Sequence, residues 1–385
     1  MTSFYCVAAA AKTFASNIRA SSAALGNEVD VDGPALLVER SAHTGFQRHG
    51  TISANGSSRF LRCADGWVSL TLARPSDFKL VPAVVEFDGP LSGDLDCGVD
   101  GELAWQSVRD WCSTQSAHAA RARAELFGLS CAVPGESLTD QPAATTPLGF
   151  GKSRKRPLVV DLSALWAGPL CAHLLGKAGC EVVKVESTDR PDGARVGSPT
   201  FYALLHGGHD SVAVDFTSEP GRRSLQRLLA RADVVITSSR PRALSQLGVE
   251  PSMMMRDHPI QLWLSVTSFG PTQPMRIGYG DDCAVAGGLF QSPTNAGSSS
   301  ALPSYIGDAI ADPLTGLAGA AAVLEALVTN QRAHIEISLA GTAAQATRTA
   351  ATVGSCNESL RPQRRVRTGE AFESGHHNSR WLADG

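Results

Sequence analysis

The stretch that most constrains this chain is Pro157–Glu186, PLVVDLSALWAGPLCAHLLGKAGCEVVKVE. Leu158–Leu162 is a short aliphatic run that reads as a buried strand. Ala167-Gly168-Pro169 breaks it, and Leu170–Ala178 carries apolar residues at helical spacing. Gly179 closes the helix, and Glu181–Glu186 reads as a second buried strand. Strand, tight turn, helix and strand in this order make a βαβ unit, which builds a parallel sheet and binds ligands at its strand ends.

The same alternation continues downstream. Ser211–Phe216, Asp233–Thr237, Gln261–Thr267 and His334–Leu339 read as strands. Arg222–Ala232 reads as an amphipathic helix whose start is signalled by Thr217-Ser218-Glu219-Pro220, with Ser218 as the cap. Asp312–Leu327 is an alanine-rich, nearly all-apolar helix. Residues 341–372 are polar and arginine-rich, a helix and then an extended arm. Upstream, Ala8–Ala24 is a helix candidate. Arg59–Cys63 and Trp67–Ala73, joined by Ala64-Asp65-Gly66, read as a β-hairpin. Asp77–Phe87 predicts a short helix kinked at Pro82, and Glu102–Gln115 and Ala117–Phe127 predict two firmer ones. Gln141–Arg156 reads as a linker. Its GFGKS string is not a phosphate-binding loop, because the required earlier glycine falls on Thr146 and the loop precedes its strand.

Several of these segments together resemble the class III CoA-transferases, the family of formyl-CoA transferase, carnitine CoA-transferase and α-methylacyl-CoA racemase. DLSALWAGPLCAHLLGKAGCEVVKVE resembles the family's opening. The likeness continues through His206–Phe216, Ala232–Val249, Leu262–Pro274 and GDAIADPLTGL at Gly307–Leu317. It implies an α/β fold, a Rossmann-like parallel-sheet CoA domain at 157–345 with a smaller α/β domain at 45–140, and an interlocked homodimer. A helical lead-in (1–44), the linker (141–156) and a C-terminal arm (346–385) complete the division. The small domain follows the CoA half in ordinary members and precedes it here, which implies a circular permutation or one portion of a duplicated ancestor.

The resemblance implies a catalytic role for Asp312. Read locally, Ala311-Asp312-Pro313 is an N-cap aspartate with proline at the first helical position. The family places its nucleophilic aspartate at this motif. The two readings are compatible, since a helix N-terminus favours an ionised carboxylate by about 0.3–1 kcal/mol and an ionised carboxylate is what attacks a thioester. The reaction implied moves CoA between an acyl-CoA and a carboxylic acid through an aspartyl-CoA intermediate. Leu165, Trp166, Ala167 and Gly168 match the segment that lines CoA and acyl group, and Trp166 equally suits core packing. The family's ENFRPG becomes Thr237–Arg242, keeping Arg240 and leaving Arg242 beside it. Its NRGKRS becomes His206–Ser211, with every permanent cation lost. Phosphate binding then rests on Arg240, Arg242, Arg276 and backbone, with Lys184 and Arg190 nearby. The lost cations and the altered order suit a rival reading, a non-catalytic acyl-CoA-binding paralogue. A racemase or epimerase is a further alternative, but the family's histidine is absent near Gly278–Asp282, so Asp281 or Asp282 would have to replace it.

Bulk properties narrow the field. The formal charge is −3 over 385 residues, which gives no global support to nucleic-acid binding. No apolar run is read as a membrane span. The N-terminal stretch lacks the charged n-region of a signal peptide and is interrupted at Lys12, so it reads as mature protein. Nine scattered cysteines without a CxxC pair suit free thiols in a reducing cytoplasm. His206, His209 and Asp210 read as a polar loop, and neither metal nor resident cofactor is expected, coenzyme A being substrate.

Overall fold

The computed structural model describes residues 2–47, 49–86, 99–152, 154–292, 302–350 and 365–383. It opens with α1 (Thr2–Ala24), an alanine-rich helix that buries Val7, Ala11 and Ile18 completely. A short helix, α2 (Glu39–Thr44), follows. The expected hairpin forms as β1 (Ser58–Arg62) and β2 (Trp67–Thr71), paired antiparallel from Ser58↔Thr71 to Arg62↔Trp67. The region around Pro82 makes two four-residue helices, Pro75–Phe78 and Val81–Val84, in place of one kinked helix; Phe87 lies outside the described residues. Helices α3 (Val99–Thr114) and α4 (Ala117–Leu126) lead to β3 (Ser130–Ala132), which adds antiparallel to β2. Leu61, Val68 and Leu70 pack on Ala104, Trp105 and Val108 of α3 and on Ala120 and Ala124 of α4, giving this small sheet its own core.

The larger unit is a seven-stranded sheet. Its members are β4 (Ala143–Phe150), β5 (Leu158–Asp161), β6 (Glu181–Ser187), β7 (Asp210–Val214), β8 (Val234–Thr237), β9 (Leu262–Thr267) and β12 (Gln331–Ser338). A two-stranded ribbon, β10 (Phe290–Gln291) with β11 (Ser304–Tyr305), lies outside it. The large-sheet order is β4-β12-β9-β8-β5-β6-β7, parallel except for β4. From β5 the chain winds outward through β6 and β7, then returns to β8 on the other side of β5. The crevice beyond the carboxyl ends of β5 and β8 is therefore the topological switch point.

The helices of this unit include α5 (Ala167–Lys177), α6 (Glu219–Leu229), α7 (Gly280–Ala286), α8 (Ala311–Val328), α9 (Leu339–Ala350) and α10 (Asn378–Trp381). Ser218 caps α6 as its sequence predicts, accepting from the Gly221 N–H at 3.1 Å. Helix α8 is buried nearly all round, against α5 on one side and α1 and α9 on others. By length and composition it could cross a membrane, which the sequence reading overlooked, but 78% of it is buried within the fold.

Two expectations change. The supposed linker 141–156 contains β4, whose residues are almost all exposed; an edge strand buries no face and so shows no apolar alternation, and Pro147 is tolerated there. The 1–44 lead-in is helical, but α1 packs on α8 and α9 and so belongs to the large unit's core. The arm begins as the end of α9, residues 351–364 lie outside the described residues, and α10 returns to β7, where Asn378 bonds both ways with the Ala213 backbone.

Candidate active site

A cleft of 190 Å³ opens at the switch point. Its wall includes Leu165, Ala167, Gly168, Arg240, Tyr279 and Asp312. The turn after β5 is shaped by Leu165, which holds a left-handed φ of 70° while its N–H donates to the Asp192 carboxylate at 3.1 Å. Such a backbone costs a non-glycine residue about 1–3 kcal/mol and turns the Leu165 side chain out at the cleft. Ala167 and Gly168 then begin α5, where first-turn N–H groups have no intrahelical acceptor. A side chain at 168 would collide with Ser163 Oγ, which is fixed by donating to Asp161.

Trp166 does not line the cleft. It is 1% exposed, packs edge-on to Phe201 with ring centroids 5.1 Å apart, and supports the cleft floor from the core. Its alternative reading as a packing residue is the one realised, because the turn at Leu165 directs it inward. Arg240 stands exposed on the rim at the start of the helix Pro241–Leu247. Arg242, also exposed, is not part of the cleft wall. Neither Arg276 nor Lys184 is a spare cation. Arg276 pairs with Glu125 at 2.6 Å and Glu136 at 2.5 Å and stacks 3.5 Å over Phe269, clamping the small unit to the large. Lys184 is buried between Asp192 at 3.3 Å and Asp161 at 3.8 Å.

Asp312 sits in the first turn of α8 but does not cap it: the N-cap position is Ile310, and Asp312 is the second helical residue. Its own N–H donates to the Ala309 carbonyl at 2.9 Å. Burial pushes its carboxyl up to about 7, opposed by the Arg40 guanidinium and reinforced by the Asp308 and Asp282 carboxylates. Desolvation therefore outweighs the helix terminus that the sequence reading relied on. Asp281, which accepts from the Ala309 N–H at 2.8 Å, is likewise raised to about 7, by burial and then by Asp308. Asp282 is raised to about 6 by burial and is held by Ser130 Oγ at 2.5 Å, Thr71 Oγ at 3.2 Å and the Tyr279 N–H at 2.9 Å. These bonds tie β2 and β3 to α7, a structural task.

The residues that sequence reasoning missed are Arg40 and the role of Asp308. Arg40 chelates Asp308 through Nε at 2.7 Å and a second, shorter contact, and its guanidinium lies 4.8 Å above the Trp166 ring. Nothing local marks Arg40, since its partners are remote in the chain. His206 and His209 are buried with His173 and kept neutral by that burial, His209 at about 4. Among the described residues no three side chains are placed to hold a metal ion.

This switch-point cleft, with an aspartate at one helix head and free N–H groups at another, belongs to a known class. Residues 157–376 match the family described as CoA-transferase family III, and the chain belongs to that family. Among its relatives, (R)-2-hydroxy-4-methylpentanoate CoA-transferase of Clostridioides difficile is 31% identical over 183 residues, covering 44% of this chain and 45% of that protein. Succinate–glutarate CoA-transferase of Agrobacterium fabrum is 29% identical over 220 residues, covering 52% and 53%. A solved structure of a CAIB/BAIF family protein from Brucella suis covers 49% of this chain and 53% of its own, at 30% identity and a TM-score of 0.45. The chain spans about half the length of the curated relatives it matches.

Proposed function

We propose that this chain carries the reacting aspartate of a CoA-transferase that moves CoA between an acyl-CoA and a carboxylic acid. The observation that supports this reading most is the meeting of Asp312 with the heads of α5 and α8 in one cleft that has Arg240 at its mouth. Asp312 attacks the thioester carbonyl, forming a mixed anhydride and releasing CoA thiolate. The thiolate attacks the aspartyl carbonyl, giving an aspartyl-CoA thioester and the free donor acid. The acceptor carboxylate then attacks that thioester, and the released thiolate takes the new acyl group, which restores Asp312. Each addition creates an oxyanion, and the first-turn N–H groups of Ala167 and Gly168 are the donors suited to it.

The racemase alternative has less support, because the carboxylates of Asp281 and Asp282 are engaged by backbone and hydroxyl donors. As further parts of the proposal, the protein is a cytoplasmic homodimer with coenzyme A as substrate and no resident cofactor, and its small unit precedes the large one by permutation or duplication. Cys63, Cys112, Cys131, Cys171, Cys180 and Cys283 are buried free thiols, which suits a reducing compartment.

Arg240→Ala tests the CoA subsite. A phosphate contact is charge-assisted, so calorimetry with CoA should show binding weakened by about 1.5–3 kcal/mol. Unchanged affinity removes Arg240 from the subsite. Asp312→Asn should bind CoA normally and lose CoA exchange between donor and acceptor acids. Full exchange by this variant overturns the role given to Asp312. A wild type that binds acyl-CoA without exchange under any donor–acceptor pair is the non-catalytic paralogue.

A further inference from the structure

The geometry points to Arg40 and Asp308 as a charge-compensated pair that sets the protonation of Asp312, with Arg40 the positioning residue that keeps the reacting carboxylate available. The inference rests on the assignment of Asp312 as nucleophile. Arg40 comes from α2, outside the 157–376 segment that matches the family. Two contacts hold it: its guanidinium grips Asp308 with two hydrogen bonds, and its flat face lies over Trp166. The neighbouring Glu39 separately accepts from Arg365 at 2.8 and 3.0 Å. Asp308 lies four residues before Asp312, across the left-handed turn at Ala309, whose φ is 44°. A single guanidinium therefore faces a cluster of acids at the head of α8.

The groups bearing on Asp312 come from every neighbouring element. Arg40 lies on α2, Asp308 in the turn ahead of α8, and Asp281, Asp282 and Cys283 on α7, with Arg240, Arg276 and Tyr279 around the cleft. Arg276 is neutralised by its two glutamates, and Arg240 is exposed to screening solvent. Arg40 is thus the largely buried cation that favours ionised Asp312, and Asp308 the acid outside α7 that opposes it. Removing the cation must raise the Asp312 titration, removing the anion must lower it, and removing both must largely cancel.

The test follows the Asp312 carboxyl by ¹³C NMR in the full chain labelled at aspartate, its signal assigned by loss in Asp312→Asn. In Arg40→Met the midpoint should rise by about one pH unit or more, and in Asp308→Asn it should fall. Arg40→Met/Asp308→Asn should return it toward wild type, and Arg40→Lys should shift it less than Arg40→Met. The double variant leaves no unpaired buried charge, so it keeps the test alive if Arg40→Met does not fold. Single variants moving in the same direction, a double variant displaced as far as Arg40→Met, or folded variants with no displacement overturn the inference. The acid limb of CoA exchange should move with these midpoints. If exchange is absent in the wild type while the midpoints move as stated, the electrostatic role stands and the transferase reading fails.

Discussion

Asp312 owes its position to a residue with no side chain. A Cβ at Gly280 would stand 2.5 Å from the Ala309 carbonyl oxygen and would also strike the Asp312 carboxylate. Gly280→Ala should therefore displace Asp312 and, on the proposed mechanism, lower CoA exchange about tenfold or more while leaving a folded protein, as circular dichroism can check. If Asp312 is the reacting group, its carboxyl, raised to about 7, should make exchange increase with pH through neutrality, as a pH–rate profile can check. The same shift bears on stability. A raised acid binds its proton more tightly in the folded state, so its contribution is fully present below the ordinary carboxylate range and is lost as pH rises through about 7. Asp312→Asn should accordingly be more stable than wild type at pH 8 by about 1–2 kcal/mol, allowing for partial solvent access, with the difference gone near pH 4 in urea titrations. Asp312 was legible as a candidate because its helix-start motif survives intact. Its titration was not, because that depends on Arg40 and Asp308, which meet only in the fold.

A close helix contact at the site joins α5 and α8. A Cβ at Gly316 would lie 2.7 Å from the Ala167 carbonyl and 3.0 Å from Leu170 Cβ, so α8 approaches α5 only with glycine there. Gly316→Val should force the helices apart, destabilise the protein by about 1–3 kcal/mol in denaturant titrations and widen the cleft. Unchanged stability would show that the contact is looser than described. Elements of this kind were readable in the sequence, since β5, β8 and β9 are largely apolar runs buried on both faces and α8 is nearly all apolar. Strand β4 was not. Its Ala-Ala-Thr-Thr-Pro pattern carries no burial signal, and it is a strand only because β12 presents an unpaired edge. Helix α1 was legible as a helix, but its partners were not, because an alanine face fits many surfaces.

Across the whole molecule, the reversal of strand order between β5 and β8 places the cleft, and contacts remote in sequence complete it. Asp282 joins α7 to β2 and β3, Arg276 joins its loop to α4, and Arg40 reaches Asp308 from α2. The parallel α/β sheet could be anticipated from the resemblance, while its strand order and these long-range ties could not, since no spacing in the chain announces them. The proposed chemistry centres on Asp312, so the most direct test is chemical. The wild-type protein is incubated with an acyl-CoA, quenched with hydroxylamine and digested with trypsin. Fragmentation mass spectrometry then locates any hydroxamate within peptide 277–332, which holds Asp281, Asp282, Asp308 and Asp312 together. The account predicts a hydroxamate on Asp312, absent from Asp312→Asn. A hydroxamate on another of these aspartates, or none at all from a wild type that exchanges CoA, would contradict it.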